Sequence, residues 1–164
     1  LLIAAKKLGY YWEIMLATRS GLRRSELMRC RWEDLDFDRK LIFVPIAKSQ
    51  KPRVIPMHSD LLALEQLSLG RGYVFPSSWD RDRPYSLRRW NNIAQRLQKY
   101  VPGFEWRRCR SHFATSLVRS GVHQLKVQKW LGHANLETTM RYYADVACDN
   151  YDEDINRLSE GQAK

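Results

Sequence analysis

Arginine carries most of the potential chemistry in this sequence. It recurs in close groups, at Arg23-Arg24, Arg29 and Arg31, Arg81 and Arg83, Arg88-Arg89, and Arg107-Arg108 with Arg110. A planar guanidinium donates two parallel hydrogen bonds to a phosphate, so such groups suit a polyanionic partner. Beside them stand a few side chains able to move protons or attack. These are His133 after Leu131-Gly132, the pair Tyr142-Tyr143, and Lys48 and Lys51 in one polar stretch. Each has a plainer reading when taken singly. An isolated Arg is more often in a surface ion pair, a Tyr at helical spacing is usually core, and a lysine in a hairpin turn protects strand edges.

The whole chain supports the phosphate reading. Its 164 residues hold 28 Lys and Arg against 18 Asp and Glu, a net charge of +10. A field of that sign draws nucleic acid, although a basic and inert surface would have the same composition. The cysteines, Cys30, Cys109 and Cys148, are odd in number and far apart. That argues against a disulfide framework and fits a reducing, cytoplasmic setting. His58, His112, His123 and His133 lack zinc-ligand spacing, so no metal is expected. No apolar run is long enough for a membrane span, and nothing reads as a signal peptide.

The elements that must position these residues are mostly helical. Apolar residues fall at helical spacing over Leu1–Leu8 and Tyr10–Thr18, ending at Ser20-Gly21, and again over Arg24–Arg31. Lys40–Ile46 and Arg53–Met57 are β-rich and flank the polar Ala47–Pro52, which predicts a hairpin with a basic turn. Ser59-Asp60 is expected to cap a Leu-rich helix through Leu69. Further helices are expected over Leu87–Tyr100, Arg110–Ser120, His123–Leu131 and Leu136–Tyr143, and an amphipathic one in the tail Asp149–Ser159. Leu16, Leu27, Phe113, Leu117, Leu125 and Trp130 are the expected core. The fold class is therefore α+β, mainly α, with a small antiparallel β-sheet (hairpin near residues 40–57). One domain of this length buries a single core.

Three stretches together resemble the tyrosine recombinases of the phage integrase type. Thr18-Arg-Ser-Gly-Leu-Arg-Arg-Ser-Glu-Leu27 resembles their first motif, a Gly-Leu-Arg turn starting a helix. Arg107-Arg-Cys-Arg-Ser-His-Phe-Ala-Thr-Ser-Leu117 resembles the second, usually His-x-x-Arg before a Phe-Ala-Thr helix. Leu131-Gly-His-Ala-Asn-Leu-Glu-Thr-Thr-Met-Arg-Tyr-Tyr143 resembles the third, with a tyrosine nine residues after the histidine. The order is right and the match spans nearly the whole chain.

The resemblance implies the catalytic domain of a site-specific DNA recombinase over residues 1–148. It also implies a C-terminal tail, 149–164, that passes a helix to a neighbour, and a DNA-binding domain N-terminal to this fragment. Tyr142, preferred to Tyr143 by its spacing from His133, would attack a DNA phosphate and form a 3′-phosphotyrosyl bond. Arg23 and Arg110 would grip the phosphate as charge builds on it, His133 would hydrogen-bond it, and Lys48, preferred to Lys51, would protonate the leaving 5′ oxygen. Glu26, one helical turn beyond Arg23, would orient arginines from behind. No cofactor is implied. Double-stranded DNA is the implied partner, with four protomers acting together.

One position departs from the family pattern. Arg107 stands where the second motif has histidine, and a guanidinium cannot accept a proton from the tyrosine, although it can donate to a phosphate. Ser111 replaces the histidine common after the motif arginine, with only a packing consequence expected. Two other readings stay open. A type IB topoisomerase shares the chemistry but reseals the same strand, and a DNA-binding module derived from a recombinase would lack the chemistry.

Overall fold

A computed structural model of the protein describes residues 1–45, 52–68 and 70–147. Lys48, Lys51 and the tail from Cys148 onward lie outside the described residues. Helix α1 (Leu2–Leu8) leads into α2 (Tyr11–Ser20), the axis around which the domain is built. Ile14, Leu16 and Ala17 of α2 are buried, and so are its polar Thr18 and Ser20. Those two hydroxyls are satisfied by donating back one turn, to the Ile14 carbonyl at 2.7 Å and the Leu16 carbonyl at 2.5 Å. Gly21 then takes the left-handed conformation, φ 63°, and a Cβ there would collide with the Phe113 ring. This close approach sets the turn into α3 (Arg24–Arg29), so Gly21-Leu22-Arg23 leaves α2 in a defined direction.

Three antiparallel strands follow in the order β1 (Leu35–Asp36), β2 (Leu41–Val44) and β3 (Arg53–Pro56). The β2–β3 hairpin is the one expected, pairing Ile42 with Ile55 and Val44 with Arg53. The two-residue β1 was too short to show a period in the sequence. Along β3, alternation puts Arg53 and Ile55 on the buried face. The Leu-rich stretch is a 3₁₀ segment, Ser59–Leu67, in place of the expected α-helix through Leu69, and His58 caps it by accepting from the Asp60 amide. Leu61 and Leu64 are its buried residues, and a three-residue repeat suits a 3₁₀ turn.

Helix α4 (Leu87–Gln98) begins at Ser86, whose hydroxyl accepts from the Arg89 amide, and buries Trp90, Ile93 and Leu97. Helix α5 (Trp106–Arg119) starts four residues before the expected Arg110, its buried face beginning with Trp106 and Cys109, the latter a single apolar residue among arginines. Trp106 stacks edge-on against Trp90 at 4.7 Å, with Phe75, Tyr85 and Phe104 around the pair. Helices α6 (Gln124–Leu131) and α7 (Leu136–Ala147) close the domain against α5.

Of the expected core, Leu16, Leu27 and Phe113 are buried, and Leu117 and Trp130 pack partly buried against it. Leu125 is exposed, contrary to expectation. Val127 and Leu131, one turn apart, hold the inner face of α6, and a residue two positions before Val127 falls on the opposite side.

Candidate active site

The end of α6 is where the three motifs meet. A helix leaves its last carbonyls without intrahelical partners, and that end carries the negative pole of the helix dipole. Here those carbonyls are taken by three arginines from three distant parts of the chain. The Trp130 carbonyl accepts from Arg53 Nε at 2.8 Å, the Leu131 carbonyl from Arg110 Nη2 at 2.5 Å, and the Gly132 carbonyl from Arg23 Nη2 at 3.1 Å. Gly132 makes this possible in two ways. Its φ of 65° turns the chain out of the helix, and a Cβ would sit 2.9 Å from Cδ of Arg53. Leu-Gly-His is thus a helix terminus built to receive guanidiniums.

Arg110 also reaches the first motif, donating from Nη1 to the Gly21 carbonyl at 2.8 Å. Burial, then repulsion by Arg23 and Arg53, pushes its guanidinium down to about 10, still a cation at neutral pH. Glu26 supplies the counter-charge. Its carboxylate accepts from the Arg23 amide at 2.7 Å and Arg23 Nη1 at 3.1 Å, and from Arg53 Nη1 and Nη2 at 2.8 and 2.7 Å. Burial opposes the charge on Glu26, but the Arg53 and Arg23 hydrogen bonds outweigh it and hold the carboxyl below its usual range. The Arg53 and Glu26 side chains are only 5% and 8% exposed, and removing one partner of so buried a pair costs about 3–5 kcal/mol.

Tyr142 faces this cluster from α7. Its hydroxyl is 3.4 Å from Ser111 Oγ, next to Arg110 in sequence, and its ring lies nearly parallel to His133 at 6.3 Å. Tyr143 points elsewhere, its hydroxyl donating to the Val122 carbonyl, so the two neighbours are separated by the helical turn. His133 Nδ1 pairs with the buried Thr139 Oγ1 at 2.9 Å, which fixes the ring and directs its other nitrogen. Burial first, then Arg110, Arg23 and Arg53, pushes the imidazole down to about 4, so it is neutral at pH 7. Arg23, Arg107 and Arg110 line one groove of about 460 Å³ between α3 and the start of α5. Among the described residues, no group of three His, Cys, Asp or Glu could hold a metal ion, and no helix is long and apolar enough to cross a membrane.

Residues 3–148 match the phage integrase family. The chain belongs to that family. Among its curated relatives is the tyrosine recombinase XerA of Thermococcus kodakarensis, 35% identical over 138 residues, covering 79% of this chain and 48% of the relative. The chain spans about half the length of the curated relatives it matches. The fold agrees with the crystal structure of XerA recombinase, with a TM-score of 0.71 at 22% identity over 99% of this chain and 61% of that one. It agrees also with the Tn1549 transposon integrase solved in complex with transposon right end DNA, with a TM-score of 0.70 at 21% identity over 93% and 59%.

Within this phage integrase domain, the residues expected from the motifs fall into two sets. Arg23, Arg110, His133 and Tyr142 converge, with Glu26 behind them. Arg107 lines the groove but stands 83% exposed, its Nε paired with Glu105 at 2.5 Å. Three contributors were not foreseen. Ser111 stands at the Tyr142 hydroxyl, beyond the packing role expected of it, and Thr139 orients His133. Arg53 is the third. Its signal was present in the sequence, since strand alternation puts it on the same face as Ile55, where a charge needs a partner.

Proposed function

We propose that this chain is the catalytic domain of a site-specific recombinase that breaks and rejoins double-stranded DNA through Tyr142. The observation that carries this reading is the junction at Arg110. One guanidinium ties the Gly-Leu-Arg turn to the Leu-Gly-His terminus, and the Tyr142 hydroxyl stands beside the next residue, Ser111. The phenol releases its proton to solvent as its oxygen attacks the phosphorus, a 3′-phosphotyrosyl bond forms, and the bond to the 5′ oxygen breaks. Arg23 and Arg110 stabilise the charge that grows on the phosphate, which is where preorganised donors contribute most. Neutral His133, held by Thr139, donates from its free nitrogen to a phosphate oxygen. Arg107 adds a donor at the groove rim. Lys48 protonates the departing 5′ oxygen. A 5′ hydroxyl from another strand reverses the step, and bond energy is kept in the covalent intermediate.

The net charge of +10 and the DNA complex of the transposon integrase support duplex DNA as the substrate. Four protomers acting on two duplexes, a helix donated from residues 149–164, a DNA-binding arm on the N-terminal side and a cytoplasmic setting complete the proposal. The test is recovery of DNA covalently attached to the protein after incubation with host and element DNA, followed by sequencing. Tyr142→Phe is expected to abolish the adduct and leave binding nearly intact. Loss of the adduct in Tyr143→Phe instead would move the nucleophile by one residue. An adduct that needs magnesium would point to a different mechanism.

A further inference from the structure

We propose that Arg53 is a positioning residue for strand cleavage, holding Glu26 and the end of α6 so that Glu26 does not pair fork-to-fork with Arg23. The proposal rests on the recombinase reading of the site. Arg53 is not placed to bind phosphate itself. Its side chain is 5% exposed, and all three of its guanidinium nitrogens are engaged within the protein, Nε by Trp130 and the other two by Glu26.

What Arg53 does is divide one carboxylate between two cations. Glu26 Oε1 is 2.8 Å from Arg53 Nη1 and 3.1 Å from Arg23 Nη1, and Oε2 is 2.7 Å from Arg53 Nη2. The fork-to-fork pair is therefore Arg53–Glu26, and Arg23 shares only one oxygen through its side chain. The Arg23 side chain remains 31% exposed on the groove that Arg110 also lines. Without Arg53, Arg23 is the cation still hydrogen-bonded to the Glu26 carboxylate. Both carboxylate oxygens could then close on Arg23 and neutralise it. Arg53 also lies directly under Gly132, where its Cδ leaves no room for a Cβ, so it supports the turn that delivers His133. One buried side chain thus joins β3, the start of α3 and the end of α6.

The experiment compares Arg53→Met, Arg53→Lys and Arg53→Met/Glu26→Gln with the parent, each shown to be folded by circular dichroism. Single-turnover cleavage is measured on a nicked suicide duplex carrying the sequence recovered as a covalent adduct. Arg53→Met is expected to cleave at least tenfold more slowly with DNA affinity within about twofold of the parent. The double variant, which no longer has a carboxylate to capture Arg23, should recover severalfold, and Arg53→Lys should fall between. A second arm needs no cleavage: inorganic phosphate is titrated while the Arg23 Nε–H resonance is followed by ¹⁵N NMR. Arg53→Met should weaken that titration at least fivefold, and Glu26→Gln in the same background should restore it. Cleavage and phosphate titration unchanged in Arg53→Met would overturn the proposal, as would a folded double variant that recovers neither. Should Arg53→Met not fold, Arg53→Lys with and without Glu26→Gln makes the same comparison. A parent protein that titrates phosphate as expected but forms no adduct overturns the recombinase reading and leaves the Arg53 assignment decided by the NMR arm.

Discussion

Two junctions hold this domain together, and they are made of opposite materials. Where α4 meets α5, Trp90 and Trp106 pack edge-on among Phe75, Tyr85 and Phe104, and Trp90 is fully buried. Where α6 ends, three arginines donate to its carbonyls, and two of them, Arg23 and Arg53, also pair with Glu26. The aromatic junction is stabilised mainly by area removed from water, with one directional bond across it, from Trp106 Nε1 to the Trp90 carbonyl at 3.1 Å. The arginine junction is directional, and it concentrates positive charge at a groove. The first keeps the helices together. The second contributes little net stability for its complexity, because burying charges is costly even when they are paired, but it presents cations in fixed positions.

The contrast breaks most clearly with Trp90→Ala. Truncating that ring is expected to cost about 3–5 kcal/mol in urea unfolding. Below the unfolding transition, each folded molecule should cleave DNA at nearly the parent rate. A comparable loss of cleavage in folded Trp90→Ala would mean the two junctions are not separable.

Arg110→Ala should show the reverse emphasis, with cleavage falling by about 100- to 1000-fold in a suicide-substrate assay. Retained cleavage in a folded Arg110→Ala protein would remove the central donor from the proposed chemistry.

Burial and the concentration of charge act together on His133. An imidazole pushed down to about 4 is neutral in the fold at pH values where an unfolded histidine is protonated. Above about pH 6.5 both states are neutral and the shift contributes nothing. As pH falls from there toward 4, the unfolded chain binds the proton first and the fold loses stability. An NMR titration of the free protein should place the His133 midpoint near 4, and His133→Asn should flatten that part of the stability profile. A midpoint at the ordinary histidine value would show that neither burial nor the arginines act on the ring.

Arg107→Ala is the smallest expected effect. An exposed pair such as Arg107–Glu105 contributes about 0–1 kcal/mol, so thermal unfolding should barely move. Cleavage should fall about tenfold, 1.4 kcal/mol on the barrier, with Arg107→Lys keeping most of it. Arg107→His exceeding the parent would instead mark the arginine as a loss at that position.

Much of this protein was legible along the chain. Among the described residues, periodicity located the α-helices, with α5 beginning earlier than expected, because one apolar stripe per helix is enough to bury it, and the β-rich runs around Ala47–Pro52 located the hairpin. The motifs singled out Arg23, Arg110, His133 and Tyr142, and spacing preferred Tyr142 to its neighbour, which the structure turns toward Val122. What the chain could not show were relations between residues distant in sequence. Leu125 looked like core but faces outward, since only packing chooses which face of a short helix is covered. The 3₁₀ path of Ser59–Leu67 was likewise decided by where Leu61 and Leu64 had to point. Above all, the partnership of Arg53 with Glu26, Trp130 and Gly132 spans up to 79 positions and has no local signature. Sequence determines which donors and acceptors exist and how each segment bends. Which buried carbonyl meets which guanidinium is decided only when the segments pack, because the cost of an unpaired buried charge falls on the assembled fold.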